Sequence, residues 1–234
     1  MVIAIEGPSA IGKTTVSREL ARQLSAHWLP EAYDRLRPRP DLRVPDRRSL
    51  LRTELRLIDA ERKRYEESVS WRQRGSHVVT DTGFLGPLTY SAGIAALDVE
   101  RDIRDDLARR ALRDVHVKRL GLPELEVVLT APATVLRRRA RREPRGHPKA
   151  LVDRHLAVGR FELGFWRTIG RGPLKGRIVF VRADAPPAVI VARIHRAIHR
   201  WKPLPLPGPR LAGVVVRLLS GATGGRSRLA PARG

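Results

Sequence analysis

The chain has 234 residues, of which 42% are hydrophobic, so it can bury the core of one α/β domain but has little room for a second. Its net charge of +22 comes mostly from arginine and favours an anionic partner, whereas the absence of cysteine excludes disulfides and thiolate metal sites. No apolar run approaches the roughly 20 residues of a membrane helix, so we expect no membrane partner and a cytoplasmic location.

Apolar runs alternate with amphipathic helical patterns along the chain. Strands are expected at 2–5, 27–30, 77–80, 125–129 and 178–181. Helices are expected at 13–25, 48–74, 86–96, 98–119, 132–142, 150–169 and 188–201. This alternation predicts an α/β domain over 1–202 with a parallel sheet and right-handed crossovers. The segment 203–234 is rich in Pro, Gly, Arg and Ala and is interpreted as a largely disordered tail, in which 211–219 could dock as a short helix.

A glycine-rich segment directly follows the first predicted strand. Residues 7–14 read Gly-Pro-Ser-Ala-Ile-Gly-Lys-Thr and fit the pattern G-x-x-x-x-G-K-[ST] at the start of a predicted helix. In such a loop the backbone N–H groups and the helix N-terminus bind phosphate, the lysine reaches the β- and γ-phosphates, and the threonine hydroxyl ligates Mg²⁺. The sequence therefore predicts ATP as co-substrate and Mg²⁺ as cofactor. The nucleotide-binding residues are expected to be Gly7, Pro8, Ser9, Ala10, Ile11, Gly12, Lys13, Thr14 and Thr15.

Carboxylates follow two of the predicted strands. Asp81 comes after the third strand, at the sheet edge where ligands bind, and could hold Mg²⁺ together with Thr14 or accept the proton of an attacking hydroxyl. Glu31 follows the second strand and could be the base instead, and Asp34 is close enough in sequence to compete. The alternative is that Asp81 only shapes a turn and that Glu31 and Asp34 are exposed loop acids.

Six arginines crowd the end of the helix at 132–142 and the loop after it, and we expect a lid over about 137–149. They are Arg137, Arg138, Arg139, Arg141, Arg142 and Arg145. Guanidinium groups can neutralise the charge of a transferring phosphoryl group when a mobile lid closes. A helix cannot aim all of them inward, so some must form a solvated face. Arg138 and Arg142 share a face at i and i+4 and are, with Lys13, the predicted catalytic cations.

These features together resemble the thymidylate kinase and deoxynucleoside kinase group over about residues 1–200. The resemblance rests on Ile5-Glu6-Gly7, Asp81, Pro132 followed by Arg138 and Arg142, and Arg160-Phe161-Glu162. It implies a five-stranded parallel sheet in the order 2-3-1-4-5 flanked by helices, an arginine-bearing lid, and a carboxylate after the second strand, matched by Glu31. It also implies an arginine after the carboxylate of the third strand, where this chain has Thr82. The segment from Asp81 to Phe84 is also similar to small-molecule kinases of the same superfamily, including antibiotic phosphotransferases.

The sequence therefore predicts an ATP-dependent kinase for a small-molecule acceptor. A nucleoside or nucleoside monophosphate is the first candidate, and a metabolite or antibiotic is the alternative. A different class is a P-loop NTPase that acts as a switch or binds nucleic acid. Nucleic acid is not expected as the main partner, because the arginines are mixed with acidic residues and few aromatic residues are available for stacking. The helices at 48–74 and 98–119 could pair two protomers.

Overall fold

Five short strands form one parallel sheet at the centre of the fold. The computed structural model describes residues 1–40, 46–141 and 149–221. The strand order is β2-β3-β1-β4-β5, and every neighbouring pair is parallel. The strands are β1 (Val2–Glu6), β2 (His27–Leu29), β3 (Val78–Asp81), β4 (Leu125–Thr130) and β5 (Ile178–Arg182). The predicted fold class and strand order are confirmed.

The strands are apolar on both faces because helices cover both sides of the sheet. Val2 packs into the cluster on one side, whereas Ile3 and Ile5 pack into the cluster on the other. Burial on both faces is why β1 has a continuous apolar run rather than an alternating pattern.

Nine α-helices surround the sheet within the described residues. They are α1 (Lys13–Gln23), α2 (Ala32–Arg35), α3 (Arg47–Gln73), α4 (Gly86–Leu97), α5 (Arg104–His116), α6 (Ala133–Arg141), α7 (Lys149–Arg171), α8 (Pro187–Arg200) and α9 (Pro209–Ser220). Helices α1 and α8 supply the core on one side, and α3, α4, α5, α7 and α9 supply it on the other. Within the same described ranges, no helix is both long and apolar enough to cross a membrane.

The single helix predicted over 98–119 is wrong at its N-terminal end. A 3-10 turn occupies Val99–Arg101, and the α-helix begins only at Arg104. Asp102 separates the two, because its backbone is extended and its carboxylate accepts a hydrogen bond from the Arg104 backbone N–H at 3.0 Å. Val99, which continued the apolar spacing in sequence, is 77% exposed.

Helix α9 corrects the interpretation of 203–234 as a largely disordered tail. Its apolar face packs mainly against α5 and also against α4. The side chains of Ala212, Val215 and Val216 are fully buried in the same cluster as the sheet. The alternative of a docked helix near 211–219 therefore describes this segment, and the core extends past residue 202. Residues 222–234 of the predicted tail lie outside the described residues.

Candidate active site

The glycine-rich loop connects the end of β1 to the start of α1, as the motif requires. Its backbone is left-handed at Gly7, with φ of 137°, at Ala10, with φ of 62°, and at Gly12, with φ of 100°. A β carbon at Gly7 would lie 2.7 Å from the carbonyl oxygen of Leu129 on β4, so only glycine fits there. The loop is thereby pressed against the carboxyl end of β4.

Lys13 closes back over this loop. Its Nζ donates hydrogen bonds to the carbonyl oxygens of Gly7, at 2.9 Å, and Pro8, at 3.3 Å. Thr14 and Thr15 follow in the first turn of α1 and are exposed. The lysine ammonium, the threonine hydroxyls and the helix N-terminus therefore meet at one place where polyanionic phosphate could bind.

Helix α7 supports the glycine-rich loop from the side. Gly159 of this helix contacts Pro8 so closely that a β carbon at position 159 would lie 2.8 Å from Pro8 Cβ. The next turn of α7 places Glu162 near Lys13, whose charge lowers the pKa of the Glu162 carboxyl, while burial has the larger effect and raises that pKa to about 7. Helix α7 thus positions the loop and contributes a carboxylate to the site.

Asp81 ends β3 beside β1, where the sequence places it. Its side chain is fully buried, and neither carboxylate oxygen has a hydrogen-bond partner in the described part of the chain. Burial raises the pKa of Asp81, and the charges of Lys13 and Arg64 and the nearby Thr14 hydroxyl act in the opposite direction. Unpartnered carboxylate oxygens beside a threonine hydroxyl are oxygen ligands of the kind Mg²⁺ takes, so Thr14 and Asp81 fit the predicted metal.

Glu31 lies after β2 and immediately before α2, and it lines the same cavity as Lys13. Burial raises the pKa of its carboxyl, and the neighbouring charge of Asp81 raises it further, whereas Lys13 lowers it. Asp34, the competing candidate, accepts a hydrogen bond from Arg39 at 3.0 Å instead. The structure therefore brings Glu31 and Asp81 together. Asp34 is in an ion pair with Arg39, and its charge also raises the pKa of both carboxyls.

A cavity of about 210 Å³ opens next to Lys13. It is bounded by the glycine-rich loop, the segment around α2, and the inner faces of α3, α4 and α7. Five glutamates line it. They are Glu6, Glu31, Glu54, Glu61 and Glu162. Lys13 is the one lysine or arginine lining the cavity within residues 1–40, 46–141 and 149–221, so this chain of high positive charge has an acidic cavity at its centre.

Arg64 of α3 is fully buried beneath this cavity. Its guanidinium donates to the Glu61 carboxylate at 2.5 Å and to the backbone carbonyl oxygens of Asp81, at 2.8 Å, and Thr82, at 3.1 Å. Thr82 has a φ of 69°, an unusual conformation for a β-branched residue. Arg64 therefore holds the turn after β3 through the backbone of Asp81 and Thr82.

Two further carboxyls face each other at the carboxyl end of β1. Glu6 accepts a hydrogen bond from the Gly83 backbone N–H at 2.7 Å, and a β carbon at Gly83 would lie 2.5 Å from Glu6 and 3.4 Å from Glu126. Burial raises the pKa of Glu6 to about 8, and burial together with the charge of Glu6 raises the pKa of Glu126. Burial therefore favours the protonated form of both carboxyls.

The predicted lid arginines lie on different faces of α6. Arg139 donates from Nη1 to the Ile11 carbonyl oxygen of the glycine-rich loop at 2.8 Å. Arg138, the predicted catalytic residue, is exposed and lines a shallow cleft with Arg137 and Arg141. Its partner Arg142 lies outside the described residues, as does Arg145 and most of the predicted lid.

Sequence reasoning missed the acidic face of α3. Glu54 and Glu61 lie two turns apart on the same face as Ile58, which is 1% exposed. Both carboxylates are 2% exposed. The signal was available, because glutamates at core-facing spacings of a helix must be paired or functional.

Solved structures of deoxyadenosine kinase from M. mycoides share this fold. The structure with the products dCMP and dCDP matches with a TM-score of 0.66 at 15% identity, covering 85% of this chain and 99% of that chain. With the same coverage, the structure with dATP has a TM-score of 0.66 at 14% identity, and the structure with dCTP has 0.63 at 14%. No curated protein matches the sequence.

The AAA domain family model matches residues 2–144. This match contains the glycine-rich loop, Asp81 and all of α6, and it spans more than half of the chain. The chain belongs to the AAA domain family of P-loop proteins, and its fold is that of the P-loop kinases.

Proposed function

We propose that the chain is an ATP-dependent kinase that transfers the γ-phosphoryl group to a hydroxyl of a small molecule. The observation that carries the proposal is the shared position of a complete phosphate-binding loop, three carboxylates and a cavity. Lys13, Glu31 and Glu162 line that cavity, and Asp81 lies at the adjacent strand end. A switch protein needs a phosphate site, but it does not need a second cavity beside the γ-phosphate.

At the donor end, ATP would place its phosphates on residues 7–15. Lys13 would exchange its hydrogen bonds to Gly7 and Pro8 for the β- and γ-phosphate oxygens. Thr14 and Asp81 would hold Mg²⁺, which when bound neutralises charge on those phosphates. Arg139, already bonded to the loop at Ile11, would lie closest to the phosphates among the described arginines of α6.

At the acceptor end, the hydroxyl oxygen attacks the γ-phosphorus as the bond to the ADP oxygen breaks. The hydroxyl proton goes to a carboxylate, and Glu31 or Asp81 would accept it. A raised pKa suits a general base better than that of a free carboxyl, because proton transfer is most efficient when the pKa of the base lies near the working pH. Glu31 lines the cavity, whereas Asp81 is fully buried, which favours Glu31 as the base and Asp81 as the metal ligand.

The acceptor follows from the same cavity. Deoxyadenosine kinase shares the fold and, by name, acts on a nucleoside, which supports a nucleoside as acceptor. A nucleoside monophosphate is less suited, because Lys13 is the one lysine or arginine that lines the cavity within the described ranges, and ATP would engage it. A small metabolite or antibiotic is the second candidate, favoured by the carboxylates that line the cavity.

The test is phosphoryl transfer from ATP·Mg²⁺ by the full chain to a panel of nucleosides, nucleoside monophosphates, amino sugars and antibiotics. We expect ADP release that depends on one acceptor class, with the phosphorylated acceptor detected by mass spectrometry. ATP hydrolysis that ignores every acceptor but rises with RNA or DNA, and falls steeply with salt, would instead support the nucleic-acid-dependent NTPase.

A further inference from the structure

The five cavity glutamates differ in what surrounds them. Glu61 is paired with Arg64 at 2.5 Å, and Glu6 accepts the Gly83 N–H at 2.7 Å. Burial raises the pKa of both Glu31 and Glu162, and the positive charge of Lys13 lowers it. These four carboxylates therefore have a donor or a cation of the chain itself nearby, so none of them needs a ligand to compensate its burial.

Glu54 is the exception. It is 2% exposed, it lines the cavity, and its Oε2 has no hydrogen-bond partner among the described residues. Burial raises the pKa of Glu54 to about 8. An unpartnered buried carboxylate disfavours folding, so such a group is expected where a ligand satisfies it.

The surroundings of Glu54 give the site its shape. Tyr90 of α4 lines the same cavity as Glu54 and Glu162. Burial raises the pKa of its hydroxyl to about 12, the charges of Glu54 and Glu162 raise it further, and Arg154 lowers it. The Tyr90 ring meets His155 of α7 edge to face at 5.9 Å. Glu54 thus shares the cavity with two aromatic side chains, Tyr90 and His155.

We propose that the cavity binds an acceptor alcohol that also carries a protonated amine, with the ammonium on the Glu54 carboxylate and the reacting hydroxyl beside Glu31. This inference rests on the proposed function and narrows its acceptor class. An ammonium supplies the donors that Oε2 lacks, and the aromatic ring of Tyr90 in the same cavity can face the cation. Among the described residues that line the cavity, Lys13 is the one lysine or arginine that could pair with a phosphomonoester, and ATP would engage it.

The experiment compares alcohols that carry primary amines with matched alcohols that carry none. Calorimetry with the full chain would use glucosamine and glucose, 3′-amino-3′-deoxyadenosine and 3′-deoxyadenosine, and 2-deoxystreptamine and inositol, with adenosine monophosphate as the anionic probe. We expect at least one amine to bind about tenfold or more tightly than its partner, as a charge-assisted hydrogen bond would give, and the monophosphate to bind worst.

Glu54→Gln should remove that preference and leave the affinity for ATP unchanged, whereas the exposed Glu100→Gln should change neither. Equal binding within all three pairs, an amine preference that survives in Glu54→Gln, or tighter binding of the monophosphate would each overturn the inference. The wild-type comparison stands even if the variant fails to fold. An amine that binds through Glu54 but is not phosphorylated would support this inference and contradict the proposed kinase activity. Phosphorylation of nucleosides without any preference for amines would support the kinase activity and contradict this inference.

Discussion

Gly159 and Pro8 touch through backbone and ring, with no room for a β carbon between α7 and the phosphate-binding loop. A β carbon at position 159 would lie 2.8 Å from Pro8 Cβ, well inside van der Waals contact. The loop is therefore braced by a helix that follows it by about 150 residues in sequence, and the same helix brings Glu162 to the cavity.

Gly159→Ala tests this contact. The new methyl must displace the loop or α7 by several tenths of an ångström, which should lower kcat/KM for ATP about tenfold or more because phosphate positioning is lost. Gly164→Ala is the control, since no atom lies within 4 Å of its added β carbon and alanine should stabilise the helix by about 1 kcal/mol. Equal activity of the two variants in steady-state assays would show that the contact does not position the loop.

Arg64 should be the most sensitive charged residue for stability. Arg64→Leu leaves the buried Glu61 carboxylate unpaired and removes the hydrogen bonds to Asp81 and Thr82, so we expect a loss of about 3–5 kcal/mol in urea unfolding. Arg119→Leu breaks the exposed ion pair between Arg119 and Glu66, which is also on α3, and should destabilise the protein far less than Arg64→Leu. Similar losses in both variants would contradict the structural role of Arg64.

Variants of Arg139 and Arg138 compare an arginine that contacts the phosphate-binding loop with a neighbouring arginine that is exposed. Arg139→Ala removes the hydrogen bond to the Ile11 carbonyl and should raise KM for ATP or lower kcat by about tenfold. Arg138→Ala should have a smaller effect, because Arg138 is exposed. A larger loss in Arg138→Ala than in Arg139→Ala, measured by initial rates, would support the catalytic role predicted from sequence.

Glu54 should make the unliganded protein less stable as pH rises. Its pKa is about 8 in the folded state and 4.5 in the reference state, so the folded protein holds the extra proton between these values. The free energy of unfolding is therefore highest below about pH 4.5 and decreases as the pH rises towards 8. The total decrease due to Glu54 is up to about 5 kcal/mol, since each pKa unit corresponds to about 1.4 kcal/mol. Glu54→Gln should flatten the slope of unfolding free energy against pH, whereas Glu100→Gln should leave it unchanged. Parallel slopes for all three proteins would contradict a buried, uncompensated carboxyl.

The local features of the site could be predicted from sequence, and the long-range ones could not. The loop at 7–14 is a strand, a turn and a helix start in succession, so its shape follows from neighbouring residues. The contact between Arg64 and the turn after Asp81 spans 17 residues and depends on how α3 docks. For the same reason the helical pattern of α6 could not select Arg139 over Arg138, because both are arginine and docking decides which one faces the loop.

Composition misled at the C-terminal end. The Pro- and Gly-rich sequence around Pro209 has the features of a tail, yet Val215 and Val216 are fully buried. A helix this short is stable mainly through tertiary packing, and α9 packs its apolar face against α5 and α4.

The central claim is that residues 7–15 bind ATP for phosphoryl transfer, and Lys13→Ala tests it most directly. The experiment measures acceptor phosphorylation and thermal unfolding for wild type, Lys13→Ala and the exposed control Lys175→Ala. We predict that Lys13→Ala lowers kcat by at least about 10²–10³ while its unfolding transition stays cooperative, because it removes a cation that contacts the transferring phosphate. Lys175→Ala should keep wild-type activity. Full phosphotransfer in a folded Lys13→Ala protein would contradict the account.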